Sequence, residues 1–159
     1  MASLRVLVSP NGHHGRKELT AYSVFSDVIE QCFSTHQTIV ESNRFVFDPD
    51  LNESISTGFA HQLLLFKGLC MISLLFNADA NIGATRRHHI PFYKRVLLMP
   101  SLSDERQYPG LNVNMSLLGG SFKDNYQKVC EKWGDKIQVT EAELLHFRQK
   151  IFPDRKVAI

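Results

Sequence analysis

The stretch TRRHHIPFYKRVLLMP, residues 85–100, holds the densest set of side chains able to do chemistry at a surface. Arg86, Arg87, Lys94 and Arg95 fall within ten residues that contain no acid. Each such cation gains about 1 kcal/mol against an anionic lipid leaflet. Each can equally neutralise a nucleic-acid phosphate and release a counterion. Phe92 and Tyr93 bring rings that insert at an interface or stack on bases. His88 and His89 add charge below about pH 6.5, the unperturbed imidazole value. These eight residues form a candidate surface for an acidic partner. The plainer reading is a solvated strand end, balanced by the acidic loops at residues 48–53 and 104–105.

Other chemistries are poorly supported. His13-His14 and His88-His89 are adjacent pairs, and neighbours on an extended strand point to opposite faces. Zinc ligands are instead spaced by two to five residues. No nucleophile elbow, HExxH motif or glycine-rich phosphate loop occurs. The expectation is a non-enzymatic protein with no metal and no cofactor. Cys32, Cys70 and Cys130 are odd in number and lie within apolar helical patterns, which suits reduced, buried thiols.

The elements that carry these residues can be read from periodicity. With 159 residues, 43% of them hydrophobic and a net charge of +2, the chain suits one folded domain. Any attraction to nucleic acid or membrane must come from a local patch. Leu4, Val6 and Val8 alternate as a strand ended by Pro10. Residues 1–17 are read as a candidate mobile N-terminal arm, with Leu4, Val6, Val8 and Pro10 as a self-association surface. Pairing of that strand within its own domain is the alternative. Helical spacing runs from Glu18 to about Thr38, and residues 41–57 read as a loop with a short strand at Phe45–Phe47. An apolar helix from about Gly58 to Phe76 is read as a core helix, since His61, Gln62 and Lys67 interrupt it. Phe92–Met99 and Leu111–Leu117 read as strands of an antiparallel hairpin. Ser121 with Asp124 and Thr140 with Glu143 open two further helices as capping boxes. Gly134 closes the first of these, and Ile137 with Val139 makes a short strand between them. Strands and helices do not alternate as βαβ units. The predicted class is therefore α+β, a small antiparallel sheet packed against several amphipathic helices in a single domain, 1–159.

Three segments, in order, support a family resemblance. Tyr22, Ser23, Asp27 and Val28 enter a helix; Pro91 to Lys94 lead a hydrophobic stretch; Phe122, Tyr126, Trp133 and Gly134 mark a closed helix. Together they resemble the matrix proteins of rhabdoviruses, of the short plant-infecting type, without a PPxY signal. The resemblance implies a viral structural and assembly protein that self-associates. Such a protein bridges the ribonucleoprotein to an anionic membrane surface through its basic patch. Its partners would be further copies of itself, viral nucleoprotein or RNA, and the membrane. Its location would be the virion, at the inner face of the envelope, and the host cytoplasm or nucleus. The alternative is a small RNA-binding accessory protein of the silencing-suppressor type.

Overall fold

The computed structural model of the chain describes residues 2–10, 13–47 and 55–153. Alternation at the start of the chain produces β1 (Ala2–Ser9), which runs antiparallel to β2 (Ile39–Phe47) at one edge of the sheet. Leu4, Val6 and Val8 pack against the core, and Pro10 is exposed. The strands are joined by α1 (His13–Arg16) and α2 (Tyr22–Cys32). Arg16 is buried, and its guanidinium donates to the Phe33 carbonyl at 2.9 Å and to that of Ser34, tying off the end of α2. A buried cation spent on orphan helix-end carbonyls is one way to satisfy them.

From β2 the chain crosses through α3 (Ile55–Leu75) to β3 (Ala80–Thr85), which lies parallel to β2. This βαβ unit departs from the expected topology. The short strand expected at Phe45–Phe47 is the end of β2; the residues before it read as a loop because Glu41, Ser42 and Asn43 interrupt the apolar pattern. The remaining pairings are antiparallel: β3 with β5 (Asn114–Ser121), and β5 with the short β4 (Arg106–Gln107). The sheet order is β1-β2-β3-β5-β4, so the α+β class and the mostly antiparallel sheet of the sequence reading stand.

The predicted hairpin is absent. Residues 87–96 form a 3₁₀ turn, Arg87–His89, followed by α4 (Ile90–Val96). Pro91 sits in the first turn, where its missing N–H costs nothing. Lys94 and Arg95 sit in the last turn, against the negative end of the helix dipole. Aromatic and β-branched residues made this segment look like a strand; the proline and the charges decide for helix. Likewise Ile137 follows a 3₁₀ turn, Gly134–Lys136, and is wholly buried in the core rather than part of a strand. Among the described residues no helix is long and apolar enough to cross a membrane.

The C-terminal helices follow their local signals. Ser121 caps α5 (Phe122–Trp133) by accepting from the Asp124 N–H at 3.4 Å, and Gly134 closes it. Thr140 and Glu143 complete a reciprocal capping box on α6 (Glu141–Ile151). Glu143 also accepts from Lys67 Nζ at 2.6 Å, which pins α6 to α3. The sheet thus has two covered faces. On the first, α2 and the segment before β5 enclose Phe25, Ile29, Ile39, Ile82, Tyr108 and Leu117. On the second, α3, α4 and α5 enclose Val40, Leu63, Phe66, Tyr93, Leu118 and Phe122. Each such side chain, fully buried, contributes about 1.5–3 kcal/mol.

Candidate active site

The parallel pair is the irregular place in the sheet. β2 and β3 are in register only at Ile39–Ala80, Val40–Asn81 and Glu41–Ile82. Beyond that point both strands continue, β2 held by β1 as far as Phe47 and β3 by β5 as far as Thr85. The ladder therefore forks, and two inner strand edges face each other without mutual pairing. Gly83 borders the fork on β3. A Cβ there would stand 3.2 Å from the carbonyl and hydroxyl oxygens of Ser42, so only hydrogen fits without displacement.

Three consecutive residues of β2 at this fork carry buried polar atoms without partners: Glu41 Oε2, Ser42 Oγ and Asn43 Oδ1. They are three of the seven such atoms among the described residues, so the deficit concentrates here. Natural proteins leave few buried polar atoms unpaired, and those few ask for an explanation. Glu41 has no exposed surface and faces the first side of the sheet. Its Oε1 accepts from the Ala21 N–H at 3.2 Å and from Asn43 Nδ2 at 3.4 Å. Asn43 Nδ2 also donates to Thr20 Oγ1 at 3.1 Å, and Tyr108 donates through its hydroxyl to the Thr20 carbonyl at 2.7 Å. Burial raises the Glu41 pKa above the ordinary carboxylate range; the hydrogen bonds and the Arg5 guanidinium oppose the shift without cancelling it. Tyr108 is pushed up to about 12 by burial and by the nearby Glu41 charge. A carboxylate whose pKa is raised above the ordinary range accepts a proton more readily than an ordinary one.

The segment that roofs this cluster is clamped. Arg106 donates to both oxygens of Asp27, at 2.6 and 2.8 Å, and to the Val24 carbonyl at 2.9 Å. Its guanidinium also lies 5.4 Å from the Phe25 ring centre. The hydrogen bonds from Arg106 hold the Asp27 carboxyl near a pKa of about 2. Helix α2 and the 106–108 segment are thereby fixed over Glu41.

On the second face, the fork lies beside Tyr93, a buried residue of α4. The Thr85 side chain hydrogen-bonds to the Tyr93 phenol, whose pKa burial drives far upward, so it stays protonated. Phe66 packs on both Phe92 and Tyr93, with ring centres 5.3 and 6.2 Å apart. Outside them runs a groove of about 470 Å³ lined by Phe59, His88, Phe92, Arg95, Lys132 and Trp133. Lys132 Nζ donates to the Arg95 carbonyl at 2.8 Å, and Trp133 Nε1 donates to that of Val96 at 3.2 Å. The groove combines aromatic walls with three side chains that are or can become cationic.

Of the residues expected to meet an acidic partner, His88, Phe92 and Arg95 meet in this groove. Arg86, Arg87, His89 and Lys94 are exposed outside it, and Tyr93 points inward. The two histidine rings lie 4.0 Å apart. Burial, then His88 and Arg86, lower the pKa of His89, so it charges later than a free imidazole. Among the described residues the ion pairs are Lys67–Glu143 and Arg106–Asp27, so none of the four cations is neutralised by a carboxylate. No group of three or more His, Cys, Asp or Glu able to hold a metal occurs among the described residues, and the side chains of His13 and His14 lie outside them. Glu41 was missed by sequence reasoning. The signal available was a single acid inside the apolar run TIVESNRFVF, where a strand tolerates one only for a reason.

The order and pairing of the strands, with helices on both faces of the sheet, is a fold that two acyl-transferring synthases also have. The structure of FeeM, an N-acyl amino acid synthase from uncultured soil microbes, superposes with a TM-score of 0.68 at 15% identity, over 83% of this chain and 67% of that one. BjaI, a CoA-dependent acyl-homoserine lactone synthase solved with SAM and isopentyl-CoA, superposes at 0.58 and 11% identity, over 94% of this chain and 68% of that one. The family model described as N-acyl amino acid synthase FeeM matches residues 1–121, and the chain belongs to that family. No curated protein matches it by sequence.

These findings overturn the viral reading. The chain is not a rhabdovirus matrix protein, and neither a virion location nor the nucleoprotein, RNA and membrane partners retain support. The non-enzymatic and RNA-binding readings fall with them, since the family is one of synthases. The strings that suggested the resemblance belong to α2, α4 and α5. Aromatic residues at helical spacing recur wherever an amphipathic helix covers a sheet, so they marked architecture rather than ancestry.

Proposed function

We propose that the protein transfers an acyl group from a thioester donor to the amine of an amino acid, giving an N-acyl amino acid and a free thiol. The observation that carries this reading is Glu41: a wholly buried carboxyl with an unpaired oxygen and a raised pKa, set where the parallel ladder forks. The amine nitrogen attacks the thioester carbonyl from the first face, forming the C–N bond. Glu41 removes a proton from that nitrogen. The C–S bond breaks, and the leaving thiolate takes a proton from the Tyr93 phenol on the second face. Glu41 returns its proton to solvent and Tyr93 regains one, so the sum is amine plus thioester to amide plus thiol. The groove at Phe59, Phe92 and Trp133 suits the donor, because Arg95 and Lys132 match the phosphates that thioester carriers bear. Family membership and the likeness of the FeeM and BjaI folds support this assignment.

The test supplies acyl-CoA thioesters of short, medium and long chain together with the full set of amino acids. Product is read by mass and the thiol by its release. The expected result is one preferred donor and acceptor class, with Glu41→Gln slowing transfer by about 10²–10⁴-fold, the usual worth of a general base. Tyr93→Phe should slow thiol release in the same assay. Absence of acylated product from every pair, or a Glu41→Gln variant as fast as the parent, would overturn the proposal.

A further inference from the structure

We infer that Arg5 reads the carboxylate of the acceptor, so that Glu41 meets only those amines that carry an anion beside them. This rests on the proposed acyl transfer and adds what selects the acceptor. Directly opposed residues of an antiparallel pair project to the same face and are close neighbours. Arg5 is opposite Asn43 and Leu7 is opposite Glu41, so Arg5, Asn43 and Glu41 share the first face of the sheet. Arg5 is exposed, and its guanidinium has no ion pair or hydrogen bond among the described residues. It is a diagonal neighbour of Glu41 across the β1–β2 ladder. Between the two lies Asn43, whose Oδ1 is itself buried and unpaired.

The strand is also adapted at this point. The β1–β2 register shifts between Ser3 and Arg5, immediately before the guanidinium. Such an irregularity bends a strand and re-aims the side chain beside it. A free amino acid bound along this face sets its carboxylate on the forked donors of Arg5 and its amine toward Glu41 Oε2, with Asn43 Oδ1 able to accept from the same amine. Arg5 is thus a positioning residue that takes no part in bond making.

The bland alternative is that Arg5 serves only as a counter-ion for Glu41. The two readings separate on the acceptor used. The best amino acid from the acceptor screen is compared with the amine that lacks its carboxylate, in the parent, Arg5→Met and Arg5→Lys proteins. If Arg5 reads the carboxylate, the parent prefers the amino acid by at least about tenfold, equivalent to about 1.4 kcal/mol. Arg5→Met collapses that preference toward one, through KM, and Arg5→Lys restores part of it. Calorimetric titration of the amino acid into parent and Arg5→Met protein without donor gives a second readout, expected to show lost affinity. A preference that survives Arg5→Met, with both acceptors slowed alike and the acid-side rise in kcat/KM moved to higher pH, would overturn the inference in favour of the counter-ion role. If no acceptor is acylated by the parent, the proposed function itself fails, while donor-free titration of each amino acid of the screen into parent and Arg5→Met protein still reports whether Arg5 binds the carboxylate; no affinity for any of them, or affinity unchanged by Arg5→Met, overturns the inference.

Discussion

At the scale of the residue, Glu41 carries a conflict between stability and function. Its pKa is raised in the folded protein, mainly by burial. Below the ordinary carboxylate value both folded and unfolded chains hold the proton, and the fold bears no penalty. As pH rises past that value the unfolded chain loses its proton while the folded one keeps it, so stability falls until the folded pKa is passed. The Glu41→Gln variant keeps a neutral polar group in the same place. It should therefore melt higher than the parent at neutral pH, and the difference should vanish as pH falls below the carboxylate range. Thermal unfolding of both proteins across pH 3–8, a window set by ordinary carboxylate behaviour, checks this. A melting difference independent of pH would mean that Glu41 is not charged at a cost. The same shift places the rise of kcat/KM with pH above the ordinary carboxylate range, because the free carboxylate is the form that accepts the amine's proton.

At the scale of the element, close approach of strands governs what substitutions the fold accepts. Gly119 on β5 lies opposite Ile82 of β3. A Cβ at Gly119 would come 2.7 Å from the Asn81 carbonyl oxygen and 2.8 Å from Ile82 Cγ2. The first is backbone and cannot swing away, so Gly119→Ala must part β5 from β3 beside the fork. Overpacking of this kind costs about 1–3 kcal/mol, to be read as a lowered denaturation midpoint at unchanged m-value. An unchanged midpoint would show that β5 has slack. This scale also shows what the sequence discloses. The helices α5 and α6 are legible because their signals are local: Ser121, Thr140, Glu143 and Gly134 act within a turn of themselves. The helix α4 is misread because Phe92, Tyr93 and Val96 favour strands in isolation, and only Pro91 and packing on Phe66 settle the matter. The end of β2 is legible as the short strand at Phe45–Phe47, but its first part, Ile39 to Arg44, is missed. Glu41, Ser42 and Asn43 are polar where a strand of the core should be apolar, and that breach of pattern is the candidate site. The crossover from β2 to β3 depends on pairing 41 residues apart, as between Ile39 and Ala80, which no local window contains.

At the scale of the molecule, the proposed acyl transfer makes the sheet a partition between two binding regions. The acceptor groups Arg5, Asn43 and Glu41 lie on the first face, whereas the donor groove and Tyr93 lie on the second. The fork joins them at one line. Two of the residues lining the groove, Lys132 and Trp133, come from α5, beyond the residues that the family model matches. Reversing the charge of the groove with Arg95→Glu and Lys132→Glu should weaken a phosphate-bearing donor and spare an uncharged one. For acyl-CoA, KM is expected to rise by about tenfold or more, the equivalent of about 1.4 kcal/mol. For the same acyl group on N-acetylcysteamine, which lacks phosphates, KM should hardly move, and the acceptor KM should stay as in the parent. High salt should narrow the acyl-CoA difference, since exposed charges are screened. The two sides share no side chain, so combining these changes with Arg5→Met should give effects on the two KM values that add in free energy. A double variant in which the acceptor and donor terms fail to add would mean that the fork transmits strain between the faces, and that the sheet couples the two sites rather than merely separating them.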